Sequence, residues 1–189
     1  MNTPTKITIF RICLIPVFVS VFLIDAIPYG KFIALGVFMI AAVTDWLDGY
    51  LARKNDLVTD LGKFLDPIAD KLLVTSALIL VILQTKEGFA VALAVLAIVI
   101  ISRELMVSGF RIIASSKSVI LAADGLGKIK TVLQMLSIIF LLPYADIASL
   151  NVTAGNIVFY VGFGFLCAAG LMTVVSGINY VVKNREVLK

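Results

Sequence analysis

Residues 45–70, DWLDGYLARKNDLVTDLGKFLDPIAD, decide the reading of this chain, because they place Asp45, Asp48, Asp66 and Asp70 at the inner ends of two strongly apolar segments. An acid at the centre of a membrane helix costs about 2.5 to 3.5 kcal/mol on insertion scales, so four together require a bound cation. Asp45 and Asp48 are three residues apart and Asp66 and Asp70 four apart. That spacing puts each pair on one face of its own helix. Two such pairs facing one another form an oxygen cage. The chain has no His, and its two Cys, Cys13 and Cys167, lie far from the motif inside apolar stretches. The available donors are therefore hard oxygens, which suit Mg²⁺, Mn²⁺ or Ca²⁺. Gly49 and Ala52 leave room for a ligand beside Asp48, and Gly62 permits a turn between the two pairs.

Working outward, the 189 residues are 61% hydrophobic with a mean hydropathy of +1.09, far too apolar for a soluble domain. The expectation is one integral membrane domain over 1–189, all-α, a bundle of six transmembrane helices. The apolar runs place them at about 8–24, 32–53, 66–84, 89–113, 129–145 and 154–182. The first run is read as retained rather than as a signal peptide, because Asp25, Pro28 and Tyr29 make a poor small-residue cleavage site. With the N-terminus inside, fourteen of the 16 Lys and Arg fall on the inner side and only Lys31 and Lys86 outside. The positive-inside rule then puts both termini and the carboxylates at the cytoplasmic face of the cytoplasmic membrane. From Phe32 to Thr44 the second helix rises roughly 20 Å, which brings Asp45 below mid-membrane, within reach of a lipid headgroup. The net charge of +4 is explained by this topology, and no soluble basic domain is present to bind nucleic acid.

Asp45, Asp48, Gly49, Ala52, Arg53, Gly62, Asp66 and Asp70 spell D-x2-D-G-x2-A-R-x8-G-x3-D-x3-D. This pattern resembles the signature of the CDP-alcohol phosphatidyltransferase family at all eight fixed positions, and the similarity extends from about Thr3 to about Met135. The resemblance implies that the four Asp hold two divalent cations, Mg²⁺ or Mn²⁺, and that CDP-diacylglycerol is the donor. Its nucleotide and pyrophosphate would lie over Gly49, Ala52 and Gly62, with Arg53 and Thr59 at family positions that contact the CDP group. Arg suits bidentate phosphate recognition. Asp70, the last Asp, matches the family's proposed proton acceptor.

The stretch from Pro4 to Arg11 resembles the family's P-N-x-L-T-x2-R lead-in, with Thr5 in place of Asn and Ile7 in place of Leu. The resemblance makes Thr8 and Arg11 contacts to the nucleotide or a phosphate; the plainer reading is an interfacial segment with Lys6 and Arg11 snorkelling. Asp66 also has a plainer reading. Followed by Pro67, it fits an N-cap with Pro at the first helical position.

A second cationic set comes from Arg103, Arg111 and Lys128. Arg103 and Arg111 are eight residues apart, about 80° around a helix and roughly 12 Å along it, so both can face one cavity. Lys128 follows Gly125-Leu126-Gly127. Arg103 has the alternative of a structural ion pair, and the other two that of snorkelling. The stretches Ser102-Arg103-Glu104, Ser108-Gly109-Phe110-Arg111 and Leu126-Gly127-Lys128-Ile129-Lys130-Thr131 are similar to those of the family's glycerophosphate branch. That likeness implies that these residues hold the phosphate of sn-glycerol 3-phosphate, and that the products are phosphatidylglycerophosphate and CMP.

The resemblance further implies a homodimer surrounded by membrane lipids, although the small pair Gly164 and Ala168 suits packing within the bundle equally well. Two rival functions remain at this point. One is a related transferase whose acceptor is inositol phosphate, serine or phosphatidylglycerol. The other is a divalent-cation transporter, since acids within a membrane can line an ion path; against it, the outer halves of the helices offer no matching polar relay.

Overall fold

The computed structural model describes residues 3–54, 60–116 and 125–184, and within them the side chains of residues 6–44, 62, 65–114 and 125–184. Among the described residues the structure is all-helical, with no strand. Its elements are α1 (Thr3–Leu23), α2 (Gly30–Lys54), α3 (Asp60–Gln84), α4 (Glu87–Ser116), α5 (Gly125–Leu141), α6 (Tyr144–Leu150) and α7 (Val152–Lys183). Helix is the natural answer for such a chain, since only helices and closed barrels satisfy backbone N–H and C=O groups internally in lipid.

The distribution of side chains is that of a membrane protein. Large apolar groups point outward along the helices, with Ile112 72% exposed and Val91 and Leu171 each 70% exposed. Thr8, Arg11, Lys130, Gln134, Ser137, Thr173 and Ser176 are instead enclosed. A soluble core reverses this preference for charged and polar groups. Among the described residues, four stretches are long and apolar enough to cross a membrane: Lys6–Leu23, Glu87–Ala114, Gly125–Leu150 and Val152–Lys183. The expected second span counts only as a shorter apolar helix over Gly30–Thr44. The third is apolar over residues 72–83, because Asp66, Asp70 and Lys71 occupy its first part.

The chain divides into two compact units. The first comprises residues 1–84 and 142–155. In it α1 packs on both α2 and α3. Ile15, Phe18 and Phe22 on α1 and Ala34, Phe38 and Ala41 on α2 are buried at helical spacing, and the rings of Phe18 and Phe38 lie 5.9 Å apart. Ala69, Leu73, Ala77 and Leu80 form the buried stripe of α3. At the far end of this unit the Tyr144 hydroxyl donates to the Gln84 carbonyl at 2.8 Å, and the Gln84 amide nitrogen donates to the Leu142 carbonyl at 3.4 Å. The backbone N–H groups of Lys31 and Phe32 both donate to Asp146 Oδ2, at 3.0 and 3.3 Å. Asp146 thus caps α2 from α6, a short helix that the apolar runs do not announce.

The second unit comprises residues 85–141 and 156–189. Leu93, Ala97, Ile100 and Val107 of α4 and Ile138 and Leu141 of α5 make its core with Leu166 and Ala169 of α7. Gly162 and Gly170 set the spacing. A Cβ on Gly162 would stand 2.7 Å from Leu141 Cγ, and one on Gly170 2.6 Å from Leu96 Cδ2. Gly164 meets nothing within 4 Å. Inside this unit the close approaches are made at Gly162 and Gly170. Phe89 stands edge-on to Phe159 and Phe163, at 5.2 and 5.4 Å between ring centroids.

Candidate active site

The four Asp lie on two helices, as their spacing predicts. Asp45 and Asp48 are on α2, together with Gly49, Ala52 and Arg53; the side chains of these five are outside the described residues, and Thr59 is outside them altogether. Asp66 and Asp70 are on α3, which begins at Asp60. Asp66 is accordingly inside the helix rather than at its N-cap, and Pro67 is an interior proline. The capping reading of Asp66 does not hold. Gly62, expected to turn the chain, is a buried helical residue near the start of α3.

Two described hydrogen bonds lie along this stretch of α3. Lys71 Nζ donates to the carbonyl of Pro67 at 3.1 Å, one turn back along its own helix. Asp66 Oδ1 accepts a hydrogen bond of 2.6 Å from the Thr8 hydroxyl across 58 residues of sequence. Thr8 is only 1% exposed. Arg11, one turn further along α1 and on the same face, is fully enclosed. Snorkelling does not describe Arg11, since a snorkelling head faces water, whereas Lys6 is exposed as that reading has it. Asp70 is exposed at the same end of α3.

The donor chemistry fits a hard divalent cation. Asp66 accepts on one oxygen from a neutral hydroxyl, a donor that brings no positive charge to the carboxylate. Asp66 and Asp70 do not by themselves form a group of three donors among the described residues. Asp45 and Asp48 on α2 are the carboxylates that would complete the set.

In the second unit Arg103 sits in a slot between two glycines. A Cβ on Gly177 would lie 3.2 Å from Arg103 Cγ, and one on Gly127 3.5 Å from its Nη2. The Arg stem thus passes α7 at a point where a side chain would crowd it, and its guanidinium reaches the start of α5. Arg111 and Lys128 are exposed. Beside Arg103, Glu104 forms an ion pair with Lys130, whose side chain is 2% exposed. Sequence reasoning did not single out Glu104 or Lys130. The signal was present: an acid in the middle of an apolar helix needs a cationic partner, and Lys130, two residues after Lys128, projects about 200° away from it around α5.

Comparison with known proteins identifies the family. The family model described as CDP-alcohol phosphatidyltransferase matches residues 1–181. The chain is 40% identical to a Bacillus subtilis protein named CDP-diacylglycerol–glycerol-3-phosphate 3-phosphatidyltransferase, over 100% of this chain and 97% of that one. An Escherichia coli protein of the same name is 36% identical, over 95% of this chain and 92% of its own length. A rice protein named cardiolipin synthase (CMP-forming) is 38% identical over 87% of this chain and 54% of its own length.

Proposed function

The chain belongs to the CDP-alcohol phosphatidyltransferase family, and from that premise we propose that it transfers the phosphatidyl group of CDP-diacylglycerol to sn-glycerol 3-phosphate, releasing CMP and phosphatidylglycerophosphate. The observation that carries this reading is near end-to-end similarity to two proteins named for that reaction, in a chain that matches the family's eight-position Asp motif in full.

Asp45, Asp48, Asp66 and Asp70 hold two divalent cations, Mg²⁺ or Mn²⁺. When bound, such ions screen the pyrophosphate and stabilise the departing CMP. Arg53 and Arg11 supply charge to the donor's phosphates, while Gly49, Ala52 and Gly62 leave the nucleotide space and Thr8 and Thr59 lie along its approach. Asp70 accepts the proton of the acceptor's 1-hydroxyl, directly or through a water. With no His in the chain, a carboxylate is the natural base. Attack by that oxygen on the diacylglycerol-linked phosphorus forms the new P–O bond as the bond to CMP breaks. The phosphate of glycerol 3-phosphate falls to Arg103, Arg111 and Lys128.

The membrane setting follows the same reading. Six spans place both termini and the four Asp on the cytoplasmic side of the cytoplasmic membrane, in a homodimer. The charge asymmetry of the chain supports that orientation.

A second reading is favoured by the similarity to the rice protein named cardiolipin synthase, which makes phosphatidylglycerol the rival acceptor. The experiment is CMP release from CDP-diacylglycerol by purified protein in detergent, with Mg²⁺ or Mn²⁺ and with glycerol 3-phosphate, inositol phosphate, serine or phosphatidylglycerol added singly. Glycerol 3-phosphate alone should support release, and chelation should stop it until the metal is restored. Release with phosphatidylglycerol instead would keep the Asp chemistry and reassign the acceptor. Cation flux into vesicles with no CMP release from any acceptor would favour the transporter.

A further inference from the structure

We infer that Thr8 is a positioning residue for the Asp66 carboxylate, fixing its rotation so that the oxygen not bound by the hydroxyl is presented to a divalent cation. The inference rests on the reading of Asp66 as a cation ligand. It gives Thr8 a role distinct from touching the nucleotide, since its hydroxyl proton is directed at Asp66.

Three observations converge on it. The hydrogen bond is 2.6 Å long, within the range of a hydroxyl donating to an ionised carboxylate. The donor is 1% exposed and its carboxylate partner half-buried, so water has little access to the hydroxyl end of the bond. Its partners come from α1 and α3, 58 residues apart, and α1 packs against α3, so the donor stands on a helix already fixed relative to the acceptor. A threonine in a helix is also stiff, because its two heavy atoms on Cβ restrict χ1. The hydroxyl therefore holds Asp66 more firmly than a group on a long side chain would.

A carboxylate free to rotate samples orientations in which neither oxygen faces the ion, and ordering it on binding costs entropy. A donor locked onto one oxygen removes that cost in advance. Groups that orient metal ligands in this way change metal affinity or activity by about 10- to 100-fold when removed. Thr8→Val keeps the volume and the β-branch and deletes only the donor. Thr8→Ser keeps the donor.

The test is Mn²⁺ binding to the purified full chain in detergent, read from the paramagnetic resonance signal of free Mn²⁺ with no lipid substrate present, so that turnover plays no part. Thr8→Val should bind Mn²⁺ about 10- to 100-fold more weakly, Thr8→Ser should restore most of the loss, and excess Mn²⁺ should recover part of the turnover of Thr8→Val. Thr8→Ala provides the same comparison if the valine variant does not fold. Wild-type Mn²⁺ affinity in a folded variant without the hydroxyl, alongside weakened binding in Asp66→Asn, overturns the positioning role and leaves Asp66 as a ligand. Wild-type affinity in Asp66→Asn overturns the ligand reading itself, and the inference with it.

Discussion

Lys130 on α5 is paired with Glu104 on α4, its side chain 2% exposed and that of Glu104 18% exposed. The pair joins two helices of one unit at the residue next to Arg103. Removing one partner of an enclosed ion pair strands the other charge, at a cost of about 3 to 5 kcal/mol, whereas replacing both with apolar groups of similar volume is often close to neutral. Lys130→Met should accordingly lower the unfolding midpoint in detergent sharply, and Lys130→Met combined with Glu104→Met should recover most of the loss. A single variant as stable as the wild type would show that the pair does not hold these helices together. Kinetics add a second reading. If the stability of the double variant returns but its KM for glycerol 3-phosphate stays high, the pair also serves the acceptor side.

The glycine slot around Arg103 makes a separate forecast. A Cβ at position 177 would stand 3.2 Å from Arg103 Cγ, so Gly177→Ala needs a shift of a few tenths of an ångström, which a flexible stem can supply. A branched side chain needs more. Gly177→Val should displace the guanidinium and raise KM for glycerol 3-phosphate by about tenfold, equivalent to roughly 1.4 kcal/mol, with little change in KM for CDP-diacylglycerol. Equal effects on both constants would mean that the slot serves helix packing instead of Arg103.

The all-helical character and the placing of the two Asp pairs on two helices were legible because they depend on local periodicity. Apolar runs bounded by charge mark the segments, and spacings of three and four put each pair on one face. What escaped depends on long-range contact or on an ambiguous local signal. Asp66 followed by Pro67 has the form of a helix start, yet α3 begins at Asp60 and accommodates the proline in its interior. The span expected at 129–145 ends at Leu141, and the chain enters α6 through Pro143. The bond from Thr8 to Asp66 closes a gap of 58 residues that no periodicity reports. Glu104 and Lys130 are each unremarkable beside Arg103 and Lys128 until the enclosure of Lys130 is known.

Asp146 provides a test of the fold remote in sequence from the Asp motif. Its Oδ2 accepts from the backbone N–H groups of Lys31 and Phe32 at the start of α2, and its Oδ1 lies 3.8 Å from Lys31 Nζ. A side-chain acceptor on the first N–H groups of a helix contributes about 1 kcal/mol, and a negative charge there also favours the helix dipole. Asp146→Ala should lower stability by about that amount while leaving kcat within about twofold, and Asp146→Asn, which retains an acceptor, should lose less. A large fall in kcat with unchanged stability would contradict a purely structural role.

Variants of Arg111 and Asp70 test acceptor binding and chemistry separately. Arg111 is exposed on α4, so truncating it leaves no enclosed partner stranded, and Arg111→Ala should fold normally. It should raise the KM for glycerol 3-phosphate far more than that for CDP-diacylglycerol. An equal rise in both would remove Arg111 from the acceptor site.

Asp70→Asn preserves shape and one oxygen donor but removes the proton acceptor. General-base catalysis contributes about 10²- to 10⁴-fold, so CMP release should fall by at least that factor while CDP-diacylglycerol still binds in the presence of metal. Equilibrium binding of a CDP-lipid beside a turnover assay makes the comparison. Near-normal turnover in Asp70→Asn would exclude Asp70 as the base. Loss of both turnover and CDP-lipid binding, recovered by raising Mn²⁺, would identify it chiefly as a ligand, leaving proton transfer to a water that the other three carboxylates orient.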